Sequence, residues 1–339
     1  MTITGSVPAV YITGAGHHVS AIEDVGEQPL AGNAMRSVAT SDRPAYELAA
    51  AAGAFALADA NLDALDVDRL FYACSFDSSP PLWPPASWIA RELGIDAPAM
   101  RVDQVSNGGM AAIQLGYELL VGPFADNVVV TTGDRHDGAR FDRWRSDPGT
   151  VYGDGGTSLV MSTRPGPLLV RSVHTVSDPQ LEGMHRPTDD SGHSVDAGRR
   201  TDRVDLGGAK QQFLKSNGTG PTVARLMHGQ RRAVEEAVKD AGVTVTDIDW
   251  FVLPHLGWRR VSSTFLTPFD IDVNRTTWDF ARSVGHLGPG DQIYGLDKLA
   301  RSGVLRPGQL ILLAGIGSGF SWSCAVLEVT DRVFGPRAC

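Results

Sequence analysis

The segment from Met100 to Leu120 constrains the fold of this 339-residue chain more than any other. Met100 to Val105 reads as a strand, Ser106-Asn107-Gly108-Gly109 as a sharp turn, and Met110 to Leu120 as a long apolar helix. In that order they set a serine at a bend just beyond the carboxyl end of a strand, where open α/β sheets place their ligands. The alternation runs on along the chain. Val7 to Thr13 reads as a buried strand stopping at a tight Gly14-Ala15-Gly16 turn, Pro44 to Ala60 as an Ala-rich helix and Leu70 to Ser75 as a strand. Pro85 to Leu93 is a helix with proline in its first turn, and Asn127 to Thr132 is the next strand. The glycine hinge Tyr152-Gly153-Asp154-Gly155-Gly156 leads into another at Thr157 to Met161.

Past the turn Arg164-Pro165-Gly166-Pro167 the theme starts again. Thr222 to Asp240 is an amphipathic helix, Trp250 to Leu253 a strand ending at Pro254-His255, and Leu296 to Ala300 part of a helix. Leu310 to Ala314 and Ser321 to Leu327 are strands on either side of Gly315-Ile316-Gly317-Ser318-Gly319. Each half thus puts a polar, Gly-flanked element just after a strand, which predicts an α/β fold of two pseudo-duplicated halves, 1–164 and 165–339. The polar, weakly periodic stretch from Asp178 to Thr222 reads as a long surface excursion that caps the site.

Charge and cysteine usage narrow the function classes. A formal net charge of -9 repels nucleic acid and anionic membranes, so neither is an expected partner. Arg135, Arg140, Arg143 and Arg145 cluster locally, a solvated loop that also offers a landing point for a phosphate-bearing carrier. Cys74, Cys324 and Cys339 lack the spacing of a disulfide framework or zinc site, Met1 to Ala9 has no export pattern, and no 18 apolar residues run together. The expectation is a cytoplasmic protein without a membrane span. Gly14-Ala15-Gly16 lacks the third glycine of a dinucleotide fingerprint, and no histidine pair has the spacing and acidic partner of a zinc motif, so no bound cofactor and no catalytic metal are expected. His17 and His18 follow the first turn, while His185 and His193 lie in the excursion.

With these segments in view, the chain resembles the ketosynthase III family, the 3-oxoacyl-ACP synthase III enzymes of the thiolase superfamily. The likeness is carried by the opening strand and turn, Ala45 to Leu62 followed by Asp66 to Ala73, and the Pro84-Pro85 helix start. Tyr152-Gly153-Asp154-Gly155 and the closing Gly317-Ser318-Gly319-Phe320-Ser321-Trp322 extend it nearly from end to end. It implies a thiolase fold layered αβαβα, a homodimer, and an acyl thioester of acyl carrier protein or CoA as donor.

The resemblance also assigns site residues. The family carries its acyl group on cysteine in an element like Cys-Asn-Gly-Gly, matched here by Ser106-Asn107-Gly108-Gly109, so serine stands at the nucleophile position. The family histidine matches His255 in Leu253-Pro254-His255-Leu256-Gly257, with the rest of that element lost. The family asparagine matches His286 in Gly285-His286-Leu287-Gly288-Pro289-Gly290-Asp291. Read singly, a serine in a glycine turn is structural and an aspartate before a helix is a cap. Together, a hydroxyl, a proton acceptor and a carboxylate that fixes the imidazole are what acyl transfer needs. A subgroup resembling ketosynthase III shows the same combination, in starter-unit enzymes and in acyltransferases of antibiotic and polyketide assembly.

The function implied is a two-step transfer of an aromatic or short acyl group through acyl-Ser106 to a small-molecule alcohol or amine acceptor. His286 is the base and Asp291 its orienter, while His255 assists catalysis by hydrogen-bonding the thioester carbonyl or by helping to deprotonate the acceptor, a structural remnant being the other reading. The oxyanion donors are the backbone N–H of Ser106 and of Ser318 or Gly319. Two other readings stand beside it: a starter-unit enzyme that condenses a short acyl group with malonyl-ACP, and a non-catalytic thiolase-fold partner subunit.

Overall fold

A computed structural model describes residues 8–26, 33–76, 79–136, 138, 140–186, 203–332 and 334. The strands are β1 (Val10–His18), β2 (Ala21–Asp24), β3 (Ser37–Thr40), β4 (Arg69–Ala73), β5 (Ala99–Val102), β6 (Asn127–Asp134), β7 (Gly155–Ser162), β8 (Leu168–Ser177), β9 (Trp250–Val252), β10 (Leu310–Gly317) and β11 (Ser321–Val329). The helices are α1 (Ala45–Ala60), α2 (Pro85–Leu93), α3 (Gly108–Val121), α4 (Leu206–Asn217), α5 (Thr219–Asp240), the short α6 (Trp258–Val261), α7 (Thr267–Phe269) and α8 (Trp278–Ala281), and α9 (Asp291–Arg301).

Sequence chemistry sets many of these boundaries. Proline opens α2, which ends at Gly94 in the left-handed region, and α1 ends at Asn61 in the same conformation. Two expectations change. Strand β1 runs straight through Gly14-Ala15-Gly16 to His18 instead of turning there. The glycines serve close approach, since a Cβ on Gly14 would lie 2.3 Å from the Ala56 carbonyl oxygen and α1 could not lie on the strand. The excursion after Asp178 is partly helical: Asp205 caps α4 by accepting from the Gly208 N–H, and α5 begins at Thr219.

The main sheet has the order β5-β4-β6-β7-β1-β8-β11-β10-β9, with β2 and β3 forming a separate two-stranded sheet. Its two parts repeat one pattern. In the first, β4 runs parallel to β6, β6 antiparallel to β7, and β7 antiparallel to β1; β9, β10, β11 and β8 do the same in the second. No strand among the described residues matches β5 in the second part, where a single parallel bridge joins Phe251 to Thr276. The parts meet where Val10 to Ile12 pair with Leu168 to Val170.

Apolar side chains explain the layering. Met110 and Ile113 of α3 and Ile293 and Leu296 of α9 share one core with strands of both parts, so these helices form the middle layer. Helices α1 and α2 cover the first part, and α5 with the segment 258–281 covers the second. The architecture is a mixed α/β thiolase fold, and it brings the amino ends of α3 and α9 together at its centre.

Candidate active site

The serine is held on a strained bend. After β5 the chain makes a short turn, Val105 to Asn107, with Val105 at φ 46°, a conformation that a β-branched residue rarely adopts. The fully buried Asn107 anchors the bend, its Nδ2 donating to Ser321 Oγ at 3.1 Å and Ser323 Oγ at 2.8 Å on β11. Ser321 Oγ donates in turn to Gln104 Oε1 at 2.7 Å. At Gly109 a Cβ would come within 2.1 Å of the Pro289 carbonyl oxygen, so glycine there lets the loops before α3 and α9 touch. Gly288, at φ 61°, makes the matching turn on the other side.

Across that contact the side chains converge. Ser106 Oγ lies 2.8 Å from His286 Nε2, and His286 Nδ1 lies 2.6 Å from Asp291 Oδ2. Asp291 also accepts the His255 N–H on Oδ2 and the Leu287 N–H on Oδ1, each at 2.7 Å. A carboxylate only accepts, which assigns the imidazole proton to Nδ1 and leaves Nε2 free to accept from the serine hydroxyl. Burial works against the charged form of Asp291, but His255, His286 and these hydrogen bonds hold its carboxyl below the usual range. Burial likewise pushes His286 down, but the charge and hydrogen bond of Asp291 outweigh it and raise the imidazole above its ordinary value. The ring is clamped by its backbone, with His286 N–H donating to the Val151 oxygen at 2.7 Å and Gly153 N–H to the His286 oxygen at 2.9 Å.

His255 lies against the same carboxylate. It is fully buried behind Asp291, with Nδ1 3.0 Å from the Gly285 oxygen and 3.3 Å from Asp291 Oδ1. Its ring meets the Tyr294 edge, and it does not line the cavity next to Ser106. Burial pushes its imidazole down against the pull of Asp291. From this position its backbone N–H supports the carboxylate, while its Nε2 is buried without a hydrogen-bond partner among the described residues. Of the two alternatives for the second oxyanion donor, Ser318 lines the cavity beside Gly317, and Gly319 does not.

The cavity, about 370 Å³, has Ser106 and His286 in its wall. Its apolar lining comes chiefly from Leu226 and Met227 on α5, Leu256, Phe269, Ile316 and Phe320. Sequence reading missed its polar part. Arg260 forks onto Asp147 at 2.6 and 2.7 Å, and the Tyr152 hydroxyl donates to Asp147 at 3.2 Å. Tyr152 packs edge-on against His286, ring centroids 5.0 Å apart. Burial disfavours the Asp147 carboxylate, yet Arg260 keeps it below the usual range. Hints of these residues lay in the quoted Tyr152-Gly153-Asp154 hinge, whereas Arg260 comes from the segment after His255, where no motif pointed.

The remaining expectations fall into place with corrections. Arg143 is no landing point for a carrier, because it turns inward to donate to Asp154 Oδ2 at 2.9 Å and the Tyr152 oxygen at 2.9 Å, bolting the hinge. Of the excursion, Met184, His185 and Lys210 do line the cavity. His17 pairs with the buried Asp297 near the α1 side, away from Ser106's cavity. Cys74 donates to Asp134, and burial pushes the Cys324 thiol up. His193 and Cys339 lie outside the described residues. Among the described residues no cluster of three His, Cys, Asp or Glu side chains is placed to hold a metal ion, and no helix is long and apolar enough to cross a membrane.

Comparison with known proteins agrees with this fold. Residues 238–329 match the family described as 3-oxoacyl-[acyl-carrier-protein (ACP)] synthase III C terminal. The chain is similar to beta-ketoacyl-[acyl-carrier-protein] synthase III of Neisseria gonorrhoeae, 25% identical over 298 residues that cover 86% of this chain and 87% of the relative. Among solved structures it is similar to ChlB3, described as an acyltransferase, with TM-score 0.89 and 27% identity over 96% of this chain and 99% of that one. It also shares the fold of 3-oxoacyl-(acyl carrier protein) synthase III, FabH, from Pseudomonas aeruginosa PAO1, with TM-score 0.74 and 18% identity over 97% and 100% of the two chains. Likeness that spans nearly the whole chain, a C-terminal region matched to the same enzymes and a shared fold make this chain similar to the ketosynthase III enzymes of the thiolase superfamily.

Proposed function

We propose that the chain is an acyltransferase that takes an acyl group from an acyl carrier protein or CoA thioester onto Ser106 and passes it to an alcohol or amine. The observation that carries this reading is the continuous hydrogen-bond path from Ser106 through His286 to Asp291 at the wall of an apolar cavity. In the first step His286 Nε2 takes the hydroxyl proton as Ser106 Oγ bonds to the thioester carbon. The oxyanion is met by the backbone N–H groups of Ser106 and Ser318. Collapse breaks the C–S bond, and His286 returns the proton to the leaving sulfur. In the second step the acceptor O–H or N–H gives its proton to His286 while its heteroatom bonds to the acyl carbon. The ester C–O bond then breaks and Ser106 recovers its proton.

Support comes also from the names of similar proteins, one an acyltransferase and others beta-ketoacyl-[acyl-carrier-protein] synthase III enzymes. The acceptor is activated by the same His286, because His255 lies behind Asp291 and outside the cavity. The protein acts as a homodimer, since the end strand β5 pairs with β4 alone and leaves its other edge to be covered. Sedimentation near twice 36.1 kDa is expected, and an active monomer would remove that part of the reading. Intact-protein mass spectrometry with a panel of acyl thioesters tests the chemistry. An adduct on the peptide holding Ser106 is expected; an adduct elsewhere, or full activity of Ser106→Ala, overturns the acyl-serine step. Carbon dioxide released from malonyl carrier protein would mark condensation instead.

A further inference from the structure

Helix α5 lines the cavity with Val223, Leu226, Met227 and Gln230, spaced three and four apart along one face, and Arg231 reaches it from beside them. Three of the four on that face are apolar. Gln230 is 2% exposed, and among the described residues neither its Oε1 nor its Nε2 has a hydrogen-bond partner. A buried amide left unpaired is unfavourable and calls for an explanation. Polar groups in the same lining pair with residues other than Gln230: Asp147 takes Arg260 and Tyr152, and Ser263 donates to the Arg260 oxygen. Gln230 is thus a donor and acceptor held in an apolar wall without an internal use.

We propose that Gln230 is a specificity-determining residue for the acyl group, turning its amide from the wall onto a hydroxyl of the acyl group bound beside Ser106. This rests on the acyl-Ser106 reading. A hydroxyl donates to Oε1 and accepts from Nε2 at once, so one group pairs both orphan atoms. An ether, a carbonyl or a carboxylate would pair only Nε2 and leave Oε1 facing another acceptor. A site built to bond a hydroxyl rejects the analogue lacking it because its own buried polar groups are then left unpaired. The preferred donor is therefore a hydroxylated acyl thioester, and the deoxy counterpart is the poorer one.

Two matched series test this: benzoyl-CoA with its three monohydroxybenzoyl isomers, and butanoyl-CoA with 3-hydroxybutanoyl-CoA. Affinity is read by calorimetry on the Ser106→Ala protein, where no transfer intervenes, and acylation by single turnover on the wild type. At least one hydroxylated donor should exceed its deoxy counterpart by roughly tenfold in both readings. Gln230→Met, close in shape and free of the amide, should bring the ratio to about one while the thermal midpoint holds or rises. Gln230→Leu serves as a second apolar replacement if the first does not fold. A ratio that survives the loss of the amide, or no hydroxylated donor preferred in either series, overturns the proposal. A Gln230-dependent affinity ratio without any adduct on Ser106 would sink the acyl-serine reading and leave this one standing. Adducts on Ser106 with a ratio indifferent to Gln230 would do the reverse.

Discussion

The loop before α3 and the loop before α9 occupy equivalent places in the two halves, and they have diverged in opposite directions. The first keeps the strand that leads into it, β5, and needs only residues 103–107 to reach its helix. The second has a single bridge at Thr276 where that strand would be, and the freed chain carries α8, His286 and the Gly-Pro-Gly turn before Asp291. Ser106 remains partly exposed to the cavity, whereas His286 and Asp291 are 2% and 1% exposed. The difference follows from the work each loop does. A nucleophile must be reached by substrate, so a short, strained bend that pushes it into the cavity suits it. A base with its carboxylate gains from low dielectric and fixed orientation, which a longer, buried loop supplies.

The comparison breaks first at the side chains that meet across it. Ser106→Ala should abolish the adduct. His286→Ala should slow acylation by about 10²- to 10⁴-fold, the usual contribution of a general base, measured in a single turnover with one donor. Normal loading of His286→Ala would mean that the two loops do not cooperate. Asp291→Asn should lower both rate and stability, because an amide NH2 would face a donor where the carboxylate now accepts two backbone N–H groups and Nδ1–H. That mismatch costs about 1–3 kcal/mol in a denaturant titration.

The same carboxylate sets the pH response. Since Asp291 holds His286 above its ordinary value of 6.5, acylation should rise with pH through a limb above 6.5, where the neutral base forms, and Asp291→Asn should move that limb down. Asp291 itself is held below 3.8 when folded. The stability it contributes is complete above 3.8 and is lost as pH falls through the lower folded value, so this acid limb should be missing in Asp291→Asn. An acylation limb at or below 6.5 in the wild type would show that Asp291 does not raise the base.

Next in size comes the contact that joins the loops. Gly109→Ala places a methyl 2.1 Å from the Pro289 oxygen, and two backbone segments must part to admit it. Overpacking of this kind costs about 1–3 kcal/mol. It should also reduce acylation by widening the gap between Ser106 and His286. Lost stability with unchanged acylation would mean that the triad geometry does not depend on this contact.

The contrast between the loops was legible in the sequence where motifs marked it. Ser106 and His286 stood out because they fall at the nucleophile and asparagine positions of the elements the chain shares with ketosynthase III, with Asp291 five residues on, and the structure brings all three together. The position of His255 was not legible, because its motif match fixes the backbone end of a strand and says nothing of which neighbour the ring faces. Strands β2 and β3, four residues each, are too short for periodicity to register. In strand β8 the buried Val170, Ser172 and Val176 alternate with more exposed residues, but Arg171, His174 and Thr175 between them blur the apolar pattern. The cavity wall was hidden for another reason: its residues come from segments more than a hundred positions apart, and only packing assembles them. Gln230 did leave a trace, since it falls on the same helix face as Ala233, Val234 and Ala237, where a core position would be apolar.

The smallest expected effect tests how far the burial of the second loop matters beyond the triad itself. Tyr152 touches His286 through its ring edge and is tied by its hydroxyl to Asp147, which Arg260 holds with two hydrogen bonds. Tyr152→Phe keeps the edge contact and removes the tie. The Asp147 carboxylate keeps Arg260, so no buried charge is left alone, and the stability loss should be only about 1 kcal/mol. If the tie helps hold the imidazole rotamer, acylation should fall a few-fold with little change in donor affinity, and the acid limb of the rate profile should keep its position because Asp291 is untouched. A loss that appears in donor affinity alone would assign Tyr152 to the cavity wall. A shifted limb would instead show that the Asp147 and Arg260 pair reaches the base electrostatically, and the two loops would then differ in the charges that surround them as well as in burial.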